Sequence, residues 1–373
     1  MRILFAAGGT GGHINPALAV AGEIRERYPK AEILFVGTKD KMEARLVPEA
    51  GFDFTTIKIS GFQRQLTPEN IIKNIKTVWY LLTCGRRVKK IIRDFKPDVV
   101  VGFGGYVSGP VVRMAAKMGI PTAIHEQNAY PGITNKALAK QVDRVMLTAA
   151  EAEKYLAPKN PVLLTGLPVR GEMLRADRDI SRSELGIKDS QKLVLSMGGS
   201  LGAATINNAM IDIIADNVRN EELYFIHATG QYGLWVPDKL REKGIDPDNT
   251  PNLEIREYIN DMHRCMSAAD IVVCRAGASS LSEIQAMGKA SILIPSPYVA
   301  ENHQYHNAMA LVNKNAALIL EEKDFTKEKM QELFSSLAED DNNRRAIEAA
   351  AKSMSNGDAK EKIADCIVSL IKN

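Results

Sequence analysis

Ile3-Leu4-Phe5-Ala6-Ala7-Gly8-Gly9-Thr10-Gly11-Gly12-His13 opens the chain, and Lys192-Leu193-Val194-Leu195-Ser196-Met197-Gly198-Gly199-Ser200-Leu201-Gly202 repeats its plan just past the middle. In each, a short apolar run reads as a buried strand that enters a glycine turn and then a helix, with Pro16 opening the first helix and an Ala-rich stretch the second. Glycines there let backbone N–H groups approach an anion at a helix N-terminus, where the macrodipole favours negative charge. Two such turns predict two α/β domains with Rossmann-like parallel sheets facing one cleft.

Outward from these turns, apolar runs alternate with helical periodicity, the pattern of parallel βαβ units with right-handed crossovers. In the first half strands are expected at Ile33 to Val36, Phe54 to Ile59, Val99 to Gly102, Pro121 to His125, Arg144 to Leu147 and Val162 to Leu164, with a long helical region from Thr67. In the second they are expected at Leu193 to Ser196, Tyr224 to Ala228, Leu253 to Arg256, Ile271 to Cys274 and Ser291 to Ile294. Gly166-Leu167-Pro168-Val169-Arg170 breaks the pattern and predicts a boundary between domains 1–165 and 166–354. A helical tail of about 355–373, chiefly Ala359 to Ile371, is expected to pack back on the first domain.

A chain of 373 residues, 45% hydrophobic and 25% charged, suits two domains, each with a real core. Cys84, Cys265, Cys274 and Cys366 form no C-x-x-C pair, which argues against a disulfide framework or zinc ribbon and for a reducing compartment. Met1-Arg2 enters the first strand directly, and no run reaches the ~18 apolar residues of a membrane span, so the chain is expected to be neither exported nor membrane-spanning. The net charge of +3 argues against general nucleic-acid binding. Between Lys58 and Lys96, however, ten basic residues face two acidic ones, a local net of +8 suited to an anionic partner.

The first turn fails the dinucleotide fingerprint, because Ile14 stands at the third glycine position and Gly37-Thr38 ends the second strand where a ribose-binding acid belongs. No G-x-x-x-x-G-K-[ST] loop exists either. More specific are further loops, each at a strand's carboxyl end: Gly104 to Pro110, His125 to Asn128, the Cys274 to Glu283 turn and helix start, and Glu301 to Asn307. Open α/β sheets bind ligands at that edge.

GGTGGH at Gly8, GGYVSGP at Gly104, HEQN at His125, GGS-x-G at Gly198, CR-x-G with SE at Cys274 and Ser282, and HQYHNA at His303 together resemble the MurG family of GT-B glycosyltransferases, in order and along essentially the whole chain. The resemblance implies inverting transfer of N-acetylglucosamine from UDP-GlcNAc to lipid I in peptidoglycan synthesis, without cofactor or metal. By motif position the donor contacts would be Arg170, Ser200, Ile259, Ala278, Ser279, Ser280, Leu281, Ser282, Glu283 and Gln304, completed by Thr10, Gly11, Gly12 and Asn128. Ile259 would offer backbone groups to uracil, Glu283 would bind ribose, Gln304 sugar hydroxyls, and Arg170 with the glycine turns the diphosphate. Leu201 stands where the family often has glutamine. Gly104, Gly105, Tyr106 and Ser108 would form the acceptor loop.

His13 is the leading general base, since imidazole titrates near neutral pH; the alternative is a helix cap or loop-orienting residue. Glu126 is the second base, with a buried partner of a loop amide as its alternative. No D-x-D pair adjoins the turns, and Asp246-Pro247-Asp248 reads as a solvated turn. Ile71, Ile75, Val78 or Trp79, and Leu82 recur at helical spacing beside Lys73, Lys76, Arg86, Arg87, Lys89 and Lys90. Spacing alone fits a core helix with a basic face. A lipid-linked acceptor favours peripheral contact with an anionic membrane on its cytoplasmic side, through Ile71, Ile75, Trp79, Arg86 and Arg87; the resemblance also allows cell-wall synthesis and division proteins as partners. The rivals are another GT-B acceptor specificity, and a nucleotide-sugar-binding protein without turnover.

Overall fold

Alternate residues of the first strand bury on opposite faces of a parallel sheet: Ile3 and Phe5 join one hydrophobic core, Leu4 and Ala6 another. A strand covered on both sides is apolar throughout, so the run lacks the alternation of a half-exposed strand. The computed structural model describes residues 1–61 and 67–371; within the helix Pro68–Phe95 the side chains of Pro68, Lys73, Lys76, Val78, Leu81 and Leu82 lie outside that description. The readings placed on Lys73, Lys76, Val78 and Leu82 therefore fall outside the described residues.

The chain divides into two compact units, Met1–Pro168 together with the tail from Asp358, and Val169–Gly357. In the first, the described strands are β1 (Arg2–Ala6), β2 (Glu32–Gly37), β3 (Asp53–Thr56), β4 (Val99–Gly102), β5 (Thr122–Glu126), β6 (Arg144–Leu147) and β7 (Leu163–Leu164). All pair in parallel, in the order β3-β2-β1-β4-β5-β6-β7. The second unit repeats the scheme with β8 (Lys192–Met197), β9 (Leu223–Ala228), β10 (Leu253–Arg256), β11 (Ile271–Cys274), β12 (Ala290–Leu293) and β13 (Leu318–Ile319), ordered β10-β9-β8-β11-β12-β13. Strand order reverses at β1/β4 and at β8/β11, and at such switch points the loops on either side diverge and leave a crevice.

One face of the first sheet packs against the helix Gly11–Arg27 and the tail helix Ala359–Ile371, whose Ile363, Ala364, Ile367 and Leu370 join the core of Phe5 and Phe35. Lys360–Glu23 and Arg27–Asp365 ion pairs border that seam. The other face takes Val88, Ile91 and Ile92 from the end of the helix Pro68–Phe95, and Val107, Val111 and Val112 from the helix Gly105–Lys117.

Several sequence readings differ from the structure. The third strand stops at Thr56, because its partner β2 ends at Gly37, whose carbonyl takes a last bond from Ile57 N–H; Ile57 and Ile59 stay buried as loop residues. The sequence reading contains neither the short helix Glu43–Glu49 nor the edge strand β13, which is too short to stand out. The strands expected at Val162 and Ser291 each begin or end one residue away.

Candidate functional site

β1, β4 and β5 lie side by side, so their carboxyl ends and the turns and helix starts that follow gather the predicted residues of the first unit: Thr10 to His13, Gly104 to Ser108, and His125 to Asn128. Thr10 precedes the helix Gly11–Arg27 and its carbonyl takes the N–H groups of His13 and Ile14. His13 thus sits in the first turn, and its Nδ1 lies 3.1 Å from the Gly8 carbonyl oxygen and 3.3 Å from the Thr10 hydroxyl. A carbonyl only accepts, so Nδ1 carries a proton, and in the neutral ring the lone pair is then on Nε2.

Gly104 and Gly105, at φ +89° and +75°, make room for this arrangement. A Cβ on Gly104 would stand 2.8 Å from His13 Cδ2, and one on Gly105 would overlap the Gly8 carbonyl. Ser108, expected at the acceptor, is fully buried and donates to the carbonyls of Ala6 and Gly104, both at 2.7 Å; it ties the second loop to the end of β1. The Tyr106 ring lies over Gly9.

Glu126 is buried, and both its oxygens serve its own loop. Oε1 accepts from Asn128 N–H and Nδ2, Oε2 from Gly132 N–H and Asn135 Nδ2, at 2.8 to 3.2 Å. Burial pushes its carboxyl up while those four donors pull it down. His125, also buried, donates Nε2–H to the Gly166 carbonyl at 2.9 Å and accepts from Gln127 Nε2 at Nδ1; burial drives its pKa down to about 4.

In the second unit the loop Gly198 to Gly202 follows β8, held by Gln231 N–H to Ser200 O and Tyr232 N–H to Leu201 O. Ser200 and Leu201 are exposed at its tip. The helix Ala278–Met287 begins after β11 with Ser279 and Ser280 in its first turn. Glu283 follows one turn on, and Arg170 donates both Nε (3.0 Å) and Nη2 (2.9 Å) to its Oε1. Burial raises the Glu283 carboxyl, opposed by Arg170. Asn307 ties the helix His303–Val312 to the Ala276 carbonyl, and Gln304 Oε1 accepts from Ser296 N–H at 2.8 Å. Glu301 and Asn302 before that helix are left-handed, at φ +54° and +48°, a strained turn that recurs at binding sites. The Ile259 side chain is buried in the loop after β10.

The helix Pro68–Phe95 changes character along its length. Ile71, Ile75 and Trp79 are 49, 64 and 64% exposed, and Ile72, which the spacing argument missed, is 57% exposed. Arg86 and Arg87 are exposed too, whereas Val88, Ile91 and Ile92 are buried. Among the described side chains of its first half, Ile71, Ile72, Ile75 and Trp79 are thus exposed while Thr77 is buried. Glu43, fully buried under the first glycine turn, was also missed; one acid of two in the mixed-charge run Lys39 to Glu43 carries no signal of burial. Among the described residues no helix is long and apolar enough to cross a membrane, and no three His, Cys, Asp or Glu side chains gather as a metal site.

Residues 3–147 match the glycosyltransferase family 28 N-terminal domain and residues 193–367 its C-terminal domain. The chain is 44% identical over 373 residues to a protein of Acetivibrio thermocellus, covering 100% of this chain and 99% of that one. It is 41% identical over 372 residues to one of Desulforamulus reducens, with the same coverage. Both relatives are named UDP-N-acetylglucosamine–N-acetylmuramyl-(pentapeptide) pyrophosphoryl-undecaprenol N-acetylglucosamine transferase. The crystal structure of Acinetobacter baumannii MurG matches with a TM-score of 0.79 over 99% of both chains at 27% identity.

Proposed function

Because the chain belongs to glycosyltransferase family 28 through both halves, we propose that it transfers N-acetylglucosamine from UDP-GlcNAc to the undecaprenyl-pyrophosphoryl muramyl pentapeptide, lipid I, yielding lipid II and UDP. The observation that carries this reading is end-to-end identity of 41 to 44% with relatives named for that reaction. It is a hexosyltransferase of cell-wall synthesis with the two-sheet GT-B architecture.

In the proposed step the muramyl 4-hydroxyl attacks the anomeric carbon from the face opposite UDP. The O4–C1 bond forms, the bond from C1 to the diphosphate oxygen breaks, and the hydroxyl proton passes to His13 Nε2. The Nδ1 contact with Gly8 supports that assignment. Glu126 acts beside it as the clamp that holds Asn128, a role its four loop bonds favour over that of base. On the donor side Glu283, paired with Arg170, accepts from the ribose diol. Ile259 offers backbone groups to uracil and Gln304 its amide to the sugar. The helix start Ala278 to Ser282, Ser200, and the turn Thr10 to Gly12 meet the diphosphate and sugar, with positive helix ends opposing the leaving charge. Gly104, Gly105 and Tyr106 border the acceptor.

Peripheral contact with the cytoplasmic face of the cell membrane is proposed at Ile71, Ile72, Ile75 and Trp79, with Arg86 and Arg87 toward anionic headgroups. Cell-wall synthesis and division proteins are proposed as further partners. Incubation of purified protein with UDP-GlcNAc and a lipid I analogue tests the whole reading: disaccharide product supports it. UDP-GlcNAc binding without product would make the chain a nucleotide-sugar-binding protein, and transfer only to some other acceptor would reassign its specificity.

A further inference from the structure

Glu43 begins the helix Glu43–Glu49, just after β2, and is fully buried. Its Oε1 accepts from the Thr38 N–H at 3.0 Å and the Thr38 hydroxyl at 2.7 Å, and its Oε2 accepts from the Gly9 N–H at 3.2 Å. Three donors converging on two oxygens is the bonding pattern of a carboxylate, and a buried one persists only where such bonds repay its lost hydration. The chain makes space for it: a Cβ on Gly8 would stand 2.8 Å from Oε1, and one on Gly37 would run into its Cγ.

The Gly9 N–H and the Gly8 carbonyl are two ends of one peptide group. The first donates to Glu43, and the second accepts from His13 Nδ1. We propose that Glu43 is a positioning residue for His13 that acts through the Gly8–Gly9 peptide, so that carboxylate, peptide and imidazole form one hydrogen-bonded chain. An amide that donates to an anion gains negative charge on its oxygen and becomes a better acceptor. The chain therefore holds the proton on Nδ1, leaves the neutral ring's lone pair on Nε2, and stabilises the positive ring formed when Nε2 takes a proton. A carboxylate commonly stands directly behind a working imidazole. Here a peptide is interposed. The inference rests on the reading of His13 as base.

Among the described residues, the other titratable groups near the turn are Tyr106, whose ring covers Gly9, His125, bonded to Gln127 beside Gly104, and Glu126, whose oxygens are bound within its own loop. Burial, then the nearby Glu43 charge, raises the Tyr106 hydroxyl, and burial lowers His125 to about 4, so both are neutral at pH 7. Lys39, Asp40 and Lys41 are exposed in solvent. Glu43 is a carboxylate in bonded contact with the turn, through the Gly9 N–H.

Glu43→Gln in the full chain tests this, since it removes the charge and turns an NH2 toward one of the three donors. Turnover should fall about 10- to 100-fold with little change in KM for UDP-GlcNAc. The acidic limb of the kcat profile should move to lower pH, because the imidazolium loses its stabilising anion. Histidine-15N NMR gives a readout without turnover. Wild-type His13, assigned with His13→Ala, should be the Nδ1–H tautomer, and its pKa should fall in Glu43→Gln. Thr38→Val, which leaves the anion in place, should not lower it. An unchanged His13 pKa in folded Glu43→Gln overturns the proposal, as does an equal fall in Thr38→Val. Should Glu43→Gln fail to fold, the wild-type tautomer still decides: an Nε2–H ring breaks the chain. Normal kcat in His13→Ala would sink the base assignment alone, leaving the NMR result to judge Glu43.

Discussion

Replacing His125 with glutamine should flatten the acid dependence of the first unit's stability. The ring is wholly buried, stacked on Phe103 at 5.4 Å between centroids, and its Nε2–H is committed to the Gly166 carbonyl. Unfolded, it binds a proton near pH 6.5; folded, desolvation holds that off until about 4. Between those values the unfolded chain carries more protons. Stability is therefore fully present above 6.5 and lost as pH falls toward 4, and at ~1.4 kcal/mol per pH unit the loss is about 3 kcal/mol. Glutamine places an amide nitrogen near the Nε2 position and does not titrate. Urea unfolding followed by circular dichroism at pH 7.5 and pH 4 should find the variant less stable at pH 7.5, where it lacks the stacked ring. Across that range, however, it should lose about 3 kcal/mol less than the wild type. His227, buried in the second unit against the Ser196 hydroxyl at 2.8 Å and likewise held near 4, supplies the control: His227→Asn should flatten the transition of its own unit. Parallel pH curves for wild type and His125→Gln would refute the reasoning.

Three further outcomes are expected. His13→Ala should lower kcat by roughly 10²- to 10⁴-fold with donor affinity kept, as steady-state kinetics beside UDP calorimetry will show; near-normal turnover removes it as base. Glu283→Ala should weaken UDP-GlcNAc binding by on the order of 2 to 3 kcal/mol, the range of hydrogen bonds to charged groups, and unchanged calorimetric affinity in a folded variant takes it out of the site. Ile75→Ser and Trp79→Ser combined with Arg86→Glu and Arg87→Glu should reduce sedimentation with anionic vesicles, most at low salt, at about 1 kcal/mol per basic residue. Both apolar side chains are largely exposed, so thermal unfolding should hardly change; wild-type binding by the folded variant places the membrane contact elsewhere.

Repeating strand, glycine turn and helix were legible from Ile3 and from Lys192 onward, because strand burial and turn chemistry are written in neighbouring residues. So were the strand-end loops that carry Thr10, Gly104, Asn128 and Glu283, with the motifs that resemble one family. Pattern failed where pairing decided. Ile57 and Ile59 read as strand because they are apolar and buried, but a strand lasts only as long as its partner, and β2 ends at Gly37.

Only the tertiary structure decided which partners the side chains in those loops take. The sheet sets β4 beside β1 although 96 residues separate Arg2 from Asp98, and so brings Gly104 against the His13 ring. Glu43 meets Gly9 from 34 residues away, and Arg170 meets Glu283 from 113. No local period encodes such meetings, since they depend on strand order and on the space that a missing side chain leaves. Ile71 and Ile91 show the same division: both are apolar residues at helical spacing on one helix, yet the first is exposed and the second buried, because only the latter lies over the sheet.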